Sequence, residues 1–150
     1  MPRTTTVPAG PLDRLDGPRD LRRLLDIPGM DDAGIARLVA DAGTGVVLDR
    51  VFDLLCVRFV PGSGRRGIVQ WDVAAPEGGT LRYQTAFFGE WAEARPGSAA
   101  RARVTLTLSA PTLIRLGAGR LNSLIAVRTG RIGFQGSVVL GARLPHWFAL

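Results

Sequence analysis

No lysine occurs in this chain: all 19 basic residues are arginine, set against 13 acidic ones. That usage is the pattern a GC-rich coding sequence leaves, so it carries little functional weight by itself. The net charge of +6 suits phosphates, acidic membrane surfaces or a nucleotide head group as partners. Nucleic acid is not expected. The arginines are scattered, only Arg22-Arg23 and Arg65-Arg66 adjoin, and no aromatics interleave them as a base-stacking platform requires.

Cysteine and histidine are nearly absent too, with one of each. Cys56 therefore has no internal disulfide partner, which agrees with a reducing, cytoplasmic compartment. It sits in the apolar run VFDLLCVRFV, where a buried, inert thiol is expected. A two-histidine metal site is excluded, and a zinc cage cannot be completed. His146, in LPHWF, reads as a cap or snorkelling side chain at the end of a helix, because no motif fixes a nucleophile beside it. No apolar run approaches the ~18 residues of a membrane span. The start, MPRTTTVPAGP, has no apolar core of a secretory signal. Gly43-Thr-Gly45 and Gly117-Ala-Gly119 lack the third glycine and the strand-to-helix setting of a dinucleotide fingerprint, so both read as turns. Asp49 and Asp53 stand one helical turn apart and read as a solvated face. Neither a catalytic residue, a metal nor a cofactor is assigned.

What is present is one domain's worth of apolar patterning, 46% hydrophobic residues over 150. Residues 1–18, rich in proline and glycine, read as a flexible arm. Residues 19–43 read as two short helices. The first is DLRRLLDI with Leu21, Leu24 and Leu25 in register, stopped at Pro28-Gly29, and the second is capped by Asp31 or Asp32 and ended at Gly43. Thr44 then reads as the cap of a helix of about four turns running to Pro61-Gly62. Its near-continuous apolar character leaves two roles open: packing on a sheet, or a self-association surface giving a homodimer through Val46–Val60. Val69, Trp71 and Val73 alternate with Gln70 and Asp72. Across a turn at Pro76–Gly79, Leu81, Tyr83, Thr85 and Phe87 alternate with Arg82, Gln84 and Ala86. This is a hairpin. A further strand follows over Trp91–Arg95, then a soft loop, RPGSAARA. Strands with one apolar and one polar face point to an antiparallel sheet covered by helices on one side.

The last third is the most informative. VTLTL (Val104–Leu108) alternates as a half-buried strand. Ser109 is placed to cap a helix carrying Leu113, Ile114 and Leu116, with Pro111 in its first turn. Gly117 and Gly119 end it. Asn122 or Ser123 caps a second piece with Leu124, Ile125 and Val127, stopped at Thr129-Gly130. RIGFQG alternates again, with Ile132 and Phe134 on one side, and Ser137 caps a last helix that Pro145 is expected to terminate.

This stretch resembles the C-terminal half of a sterol carrier protein type 2, or sterol-binding, domain, of the bacterial single-domain type with an N-terminal extension. The likeness rests on five pieces in order: TLTLS (Thr105–Ser109), L-x-x-L-G-x-G-R-L-N (Leu113–Asn122), TGRI (Thr129–Ile132), the glycine after the strand (Gly136), and ARLP (Ala142–Pro145) ahead of aromatics. Ser137 stands where the family commonly has an acidic residue, which leaves the strand-to-helix turn intact. The resemblance covers roughly residues 45–148, within a domain taken as 44–150. It implies an α+β fold with a five-stranded, mainly antiparallel sheet, helices over one face, and an apolar tunnel between them.

From pattern alone, Trp71, Tyr83, Phe87, Leu106, Phe134, Leu140, Leu144, Trp147 and Phe148 converge between sheet and helices as a solid core. The resemblance turns them, together with Leu116, Leu124 and Ile125, into the lining of a ligand tunnel. The partner it implies is a hydrophobic small molecule: fatty acyl, acyl-CoA, sterol, or a polyketide- or terpenoid-like compound. The role is binding and transfer or presentation of that molecule, with transient membrane contact but no transmembrane segment. The alternative is an enzyme or enzyme accessory subunit of specialised metabolism that folds a hydrophobic substrate, cyclase-like, by orientation alone. Plain scaffolding through the apolar helix is a third reading.

Overall fold

A computed structural model describes residues 18–148. The arm expected over residues 1–18 lies outside the described residues but for Pro18, which opens the first helix. Among these residues six helices and five strands follow one another: α1 (Pro18–Leu25), α2 (Asp32–Ala42), α3 (Thr44–Val57), β1 (Arg66–Ala74), β2 (Thr80–Phe88), β3 (Ala92–Pro96), β4 (Val104–Ser109), α4 (Ala110–Gly117), α5 (Ser123–Arg128), β5 (Ile132–Gly136) and α6 (Val138–Trp147). The class is α+β, as expected. The strands form one sheet in the order β3-β2-β1-β4-β5.

Three of its four pairings are antiparallel, and β4 runs parallel to β1, with Trp71 opposite Leu106. Alternation alone does not distinguish these, because both ladders put every second side chain on the same face. The parallel pair needs a crossover, and the loop after β3 supplies it across the polar face. Its course is fixed by hydrogen bonds from Gly97 N to the Arg82 carbonyl (2.8 Å) and from Ala99 N to Gln70 Oε1 (2.6 Å). Gln70 is accordingly only 6% exposed although it stands on the polar face.

Local signals place most helix ends. Asp31, Ser109, Asn122 and Ser137 each accept a backbone N–H three residues on, which satisfies one orphan donor of the first turn. Three expectations are corrected. Thr44 is not the cap of α3: Gly43 holds that position at a φ of 95° that favours glycine. The Thr44 hydroxyl instead donates to the Glu77 carboxylate (2.6 Å) in the β1–β2 turn. The helix also stops at Val57, short of Pro61. The third correction is Pro145, which lies inside α6 and does not end it. Proline removes one donor, and so near the C-terminus the loss is a single bond: the chain stays helical to Trp147, and Phe148 N still donates to the Leu144 carbonyl (3.2 Å).

The core lies between α3, α4 and the apolar face of the sheet. Val47, Leu48, Val51, Phe52, Leu54 and Leu55 of α3 are all buried. Phe52 sits among the rings of Trp71 and Tyr83, at centroid distances of 5.4 and 4.5 Å. Leu21, Leu24, Ile35 and Val39 extend this core into α1 and α2. Arg22 and Arg58 donate to the carbonyls of Ala118 and Gly117 (2.9 and 3.0 Å), so two cations satisfy orphan acceptors at the end of α4.

Candidate functional site

A row of side chains in register, Tyr83, Trp71, Leu106 and Phe134, crosses β2, β1, β4 and β5 on the helix-covered face. At the β2 end it lies under α3. Towards β5 the helices stand off, and a cavity of about 830 Å³ opens, a size within the ~300–1,000 Å³ usual for small-molecule sites. Trp71, Leu106, Ile132 and Phe134 form its floor. One wall comes from Leu116 of α4, the turn through Gly119–Asn122, and Leu124 and Val127 of α5; the other is α6 with Phe148.

The face that α6 turns to the cavity is built of small and apolar residues at helical spacing: Val138, Gly141, Ala142 and Pro145. A Cβ at Gly141 would run into the Phe134 ring as it stands. Pro145 has no N–H to give the Gly141 carbonyl, which leaves a backbone acceptor without its usual helical donor beside the cavity. Leu140, Leu144 and Trp147 are the buried residues of this helix. Its C-terminal end is tied back where Val60 N donates to the Trp147 carbonyl (2.7 Å).

Polar groups are few and stand among the cavity's lining turns and helix ends. Arg120 makes a two-pronged bond to the Asp26 carboxylate (2.9 and 3.2 Å). Asn122 spends its Oδ1 on Ile125 N (3.1 Å). Ser123 and His146 complete the polar set, and among the described residues no carboxylate lines the space. His146 is exposed at the end of α6 and borders both the main cavity and a second hollow of about 260 Å³ beside Gly62–Arg65.

Among the described residues no cluster of His, Cys, Asp or Glu could hold a metal ion. The Cys56 thiol is pushed up to about 12 by burial and by the nearby charges of Asp53 and Glu93, so the nucleophilic thiolate is scarce near neutral pH. Asp49 accepts a 2.6 Å hydrogen bond from the Tyr83 hydroxyl, which also reaches the Gly45 carbonyl at 3.2 Å. Burial and this carboxylate push the phenol up from its ordinary range.

Of the residues taken from the sequence as ligand lining, Trp71, Leu106, Leu116, Leu124, Phe134, Leu144 and Phe148 border the cavity. Five others lie elsewhere. Tyr83 stacks on Phe52 beneath α3. Phe87 and Trp147 meet edge to face at 5.2 Å in a cluster with Phe59. Leu140 is buried towards Gly67, and Ile125 is 55% exposed on the outside of α5. Ile132, Val127 and the small residues of α6 went unrecognised. Ile132 was within reach, since it alternates with Phe134. Periodicity gives no signal for Gly141, Ala142 and Pro145 as lining, because a cavity wall made of small residues has no apolar stripe.

No family model matches this chain, and no curated protein matches it. Solved structures do. The inverting sec-alkylsulfatase Pisa1 from Pseudomonas sp. superposes with a TM-score of 0.58 at 23% identity over 67% of this chain. The chain spans only 16% of that enzyme's length. Sterol carrier protein 2 like 2 from Aedes aegypti superposes with a TM-score of 0.56 at 16% identity, over 71% of this chain and 97% of the mosquito protein. An open α+β sheet roofed by helices around an apolar cavity defines the class, and the fold is that of the sterol carrier protein 2 domain. No helix among the described residues is long and apolar enough to cross a membrane.

Proposed function

We propose that this chain binds a hydrophobic small molecule in the cavity under α5 and α6, and transfers or presents it in the cytoplasm. The observation that carries the reading is the 830 Å³ space floored by Trp71, Leu106, Ile132 and Phe134. Burial of apolar surface, worth ~25 cal/mol per Å² less the cost of ordering the ligand, supplies the affinity. An apolar lining with few polar groups discriminates weakly by head group, which suits fatty acyl chains, acyl-CoA, sterols or polyketide- and terpenoid-like compounds alike. The sterol carrier fold supports a lipid class of ligand.

The test is titration with a fluorescent long-chain acyl probe and displacement by a fatty acid or a sterol. Micromolar binding with displacement is expected. A flat titration with every class of apolar ligand would remove the carrier reading. Native mass spectrometry of protein from its own host identifies the ligand class directly.

A second reading is favoured by the likeness to the alkylsulfatase, in which this fold is a small share of an enzyme: an accessory module or orienting enzyme that folds a hydrophobic substrate in the same space. Turnover of a co-purified compound, tested with His146→Ala alongside, separates the two. A general base loses ~10²-fold or more on removal, whereas a carrier has no rate to lose. A homodimer through Val46–Val60 would rest on Val46, Val57 and Val60, the exposed valines of that segment. Light scattering decides it.

A further inference from the structure

Five of the ten exposed large apolar side chains among the described residues stand on α5 and α6: Leu124 (68%), Ile125 (55%), Val127, Val138 (75%) and Val139 (61%). Both helices are apolar on two sides. In α5 the single buried residue is Ala126; at 100° per residue Leu124 and Arg128 fall on the side opposite to it, with Ile125 exposed on the flank beside them. In α6 the buried set is Leu140, Leu144 and Trp147; at 100° per residue Val138 falls opposite to it, and Val139 and Arg143 stand exposed together on one flank. A soluble helix usually turns such residues inward. Here they surround the opening of the cavity, which Leu124, Val127 and Val138 themselves line.

Charge accompanies this surface. Glu93 is the last acidic residue of the sequence, and residues 94–150 hold eight arginines. Arg115, Arg120 and Arg131 are paired with Asp32, Asp26 and Asp32, and Arg95 with Glu93. Arg128 and Arg143, on the two exposed helices, have no carboxylate partner among the described residues.

We infer that the outer face of α5 and α6 docks on an anionic lipid bilayer, with Leu124, Ile125, Val138 and Val139 in the interface and Arg128 and Arg143 against acidic head groups. Interfacial helices combine these two features, apolar insertion and basic flanks. A second copy of the chain fits worse, because it would bring two positive faces together. The use of this surface rests on the carrier reading: a chain leaving the bilayer between α5 and α6 enters the cavity without crossing water.

The experiment is sedimentation of the full chain with vesicles of phosphatidylcholine, with and without phosphatidylglycerol. Binding to the anionic vesicles, weakened by salt, is expected. Ile125→Ser with Val139→Ser, two positions outside the cavity lining, should abolish most of it at unchanged charge. Arg128→Ser with Arg143→Ser should cost roughly fivefold per arginine, while Arg23→Ser with Arg37→Ser, on α1 and α2, should cost less than about twofold. Equal losses for the two arginine pairs would overturn the assignment to α5 and α6, as would a dimer that the Ile125/Val139 pair dissolves. Acyl-probe binding without vesicles is measured on every variant. Probe bound but no vesicle binding defeats the docking surface and leaves the carrier reading standing; vesicle binding without probe binding supports the surface and defeats the carrier reading.

Discussion

The row Tyr83, Trp71, Leu106, Phe134 passes under two different roofs. Over its first half lies α3, fourteen residues long with seven of them buried, and Phe52 fills the space between Trp71 and Tyr83. Over its second half lie α5, six residues with one buried, and α6, ten residues with three. One half is close-packed and the other hollow, although the sheet beneath alternates in the same way throughout. Whether an apolar sheet face becomes core or cavity floor is thus decided by the length and side-chain size of the helices above it: large residues interdigitate, and small ones such as Gly141 and Ala142 do not.

The largest expected difference between the halves comes from Phe52→Ala. This residue is fully buried, and loss of its ring should cost about 3–5 kcal/mol, read as a large drop in melting temperature. A loss below about 1 kcal/mol would mean that the α3 half is also loosely filled.

Alkaline pH probes the same half. The Cys56 thiol, ordinarily near 9.0, is held at about 12, and the Tyr83 phenol is pushed up from 10.0. Both stay protonated in the fold at pH values where an unfolded chain ionises. Their stabilisation is therefore complete below about pH 9 and is lost as pH rises towards 12. Melting temperature should fall across that window, and Tyr83→Phe, at about 1–2 kcal/mol for the lost bond to Asp49, should flatten the fall. An unchanged slope in that variant would place the alkaline sensitivity elsewhere.

In the hollow half, Gly141→Ala sets a methyl against the Phe134 ring. The ring has cavity space to turn into, and alanine favours the helix by about 0.5–1 kcal/mol. Stability should stay within about 1 kcal/mol while acyl-probe affinity falls several-fold. Destabilisation of several kcal/mol would show that this wall is packed.

The smallest effect is expected at Leu124→Trp. With 68% of Leu124 exposed at the cavity rim, the indole meets no packed neighbour, and stability should change by less than about 0.5 kcal/mol. A loss of 1–3 kcal/mol, the cost of overpacking, would mean that α5 closes on the core in solution. Probe affinity measured on the same variant shows whether the indole takes ligand space.

What local chemistry could dictate was legible before the fold was known. Ser109, Asn122 and Ser137 announce helix starts because a cap needs only its own hydroxyl or amide and a donor three residues away. The alternation of Val69, Trp71 and Val73 announces a strand face because the pleat has a period of two. The order of pieces from Thr105 to Pro145 pointed to the sterol carrier fold, and with it to helices over one face of a five-stranded sheet. The tertiary structure alone decided the rest. Thr44 left its capping role because Glu77, distant in sequence, came within 2.6 Å; Pro145 stayed inside α6 because the fold holds the end of that helix through Trp147 and Val60. Tyr83 and Phe134, equal members of one in-register row, became core and cavity floor because large side chains of α3 lie over the first and small ones of α6 over the second. Pairing and roofing depend on contacts between distant segments, and a periodicity of two or of 3.6 residues says which face is apolar without saying what will lie against it.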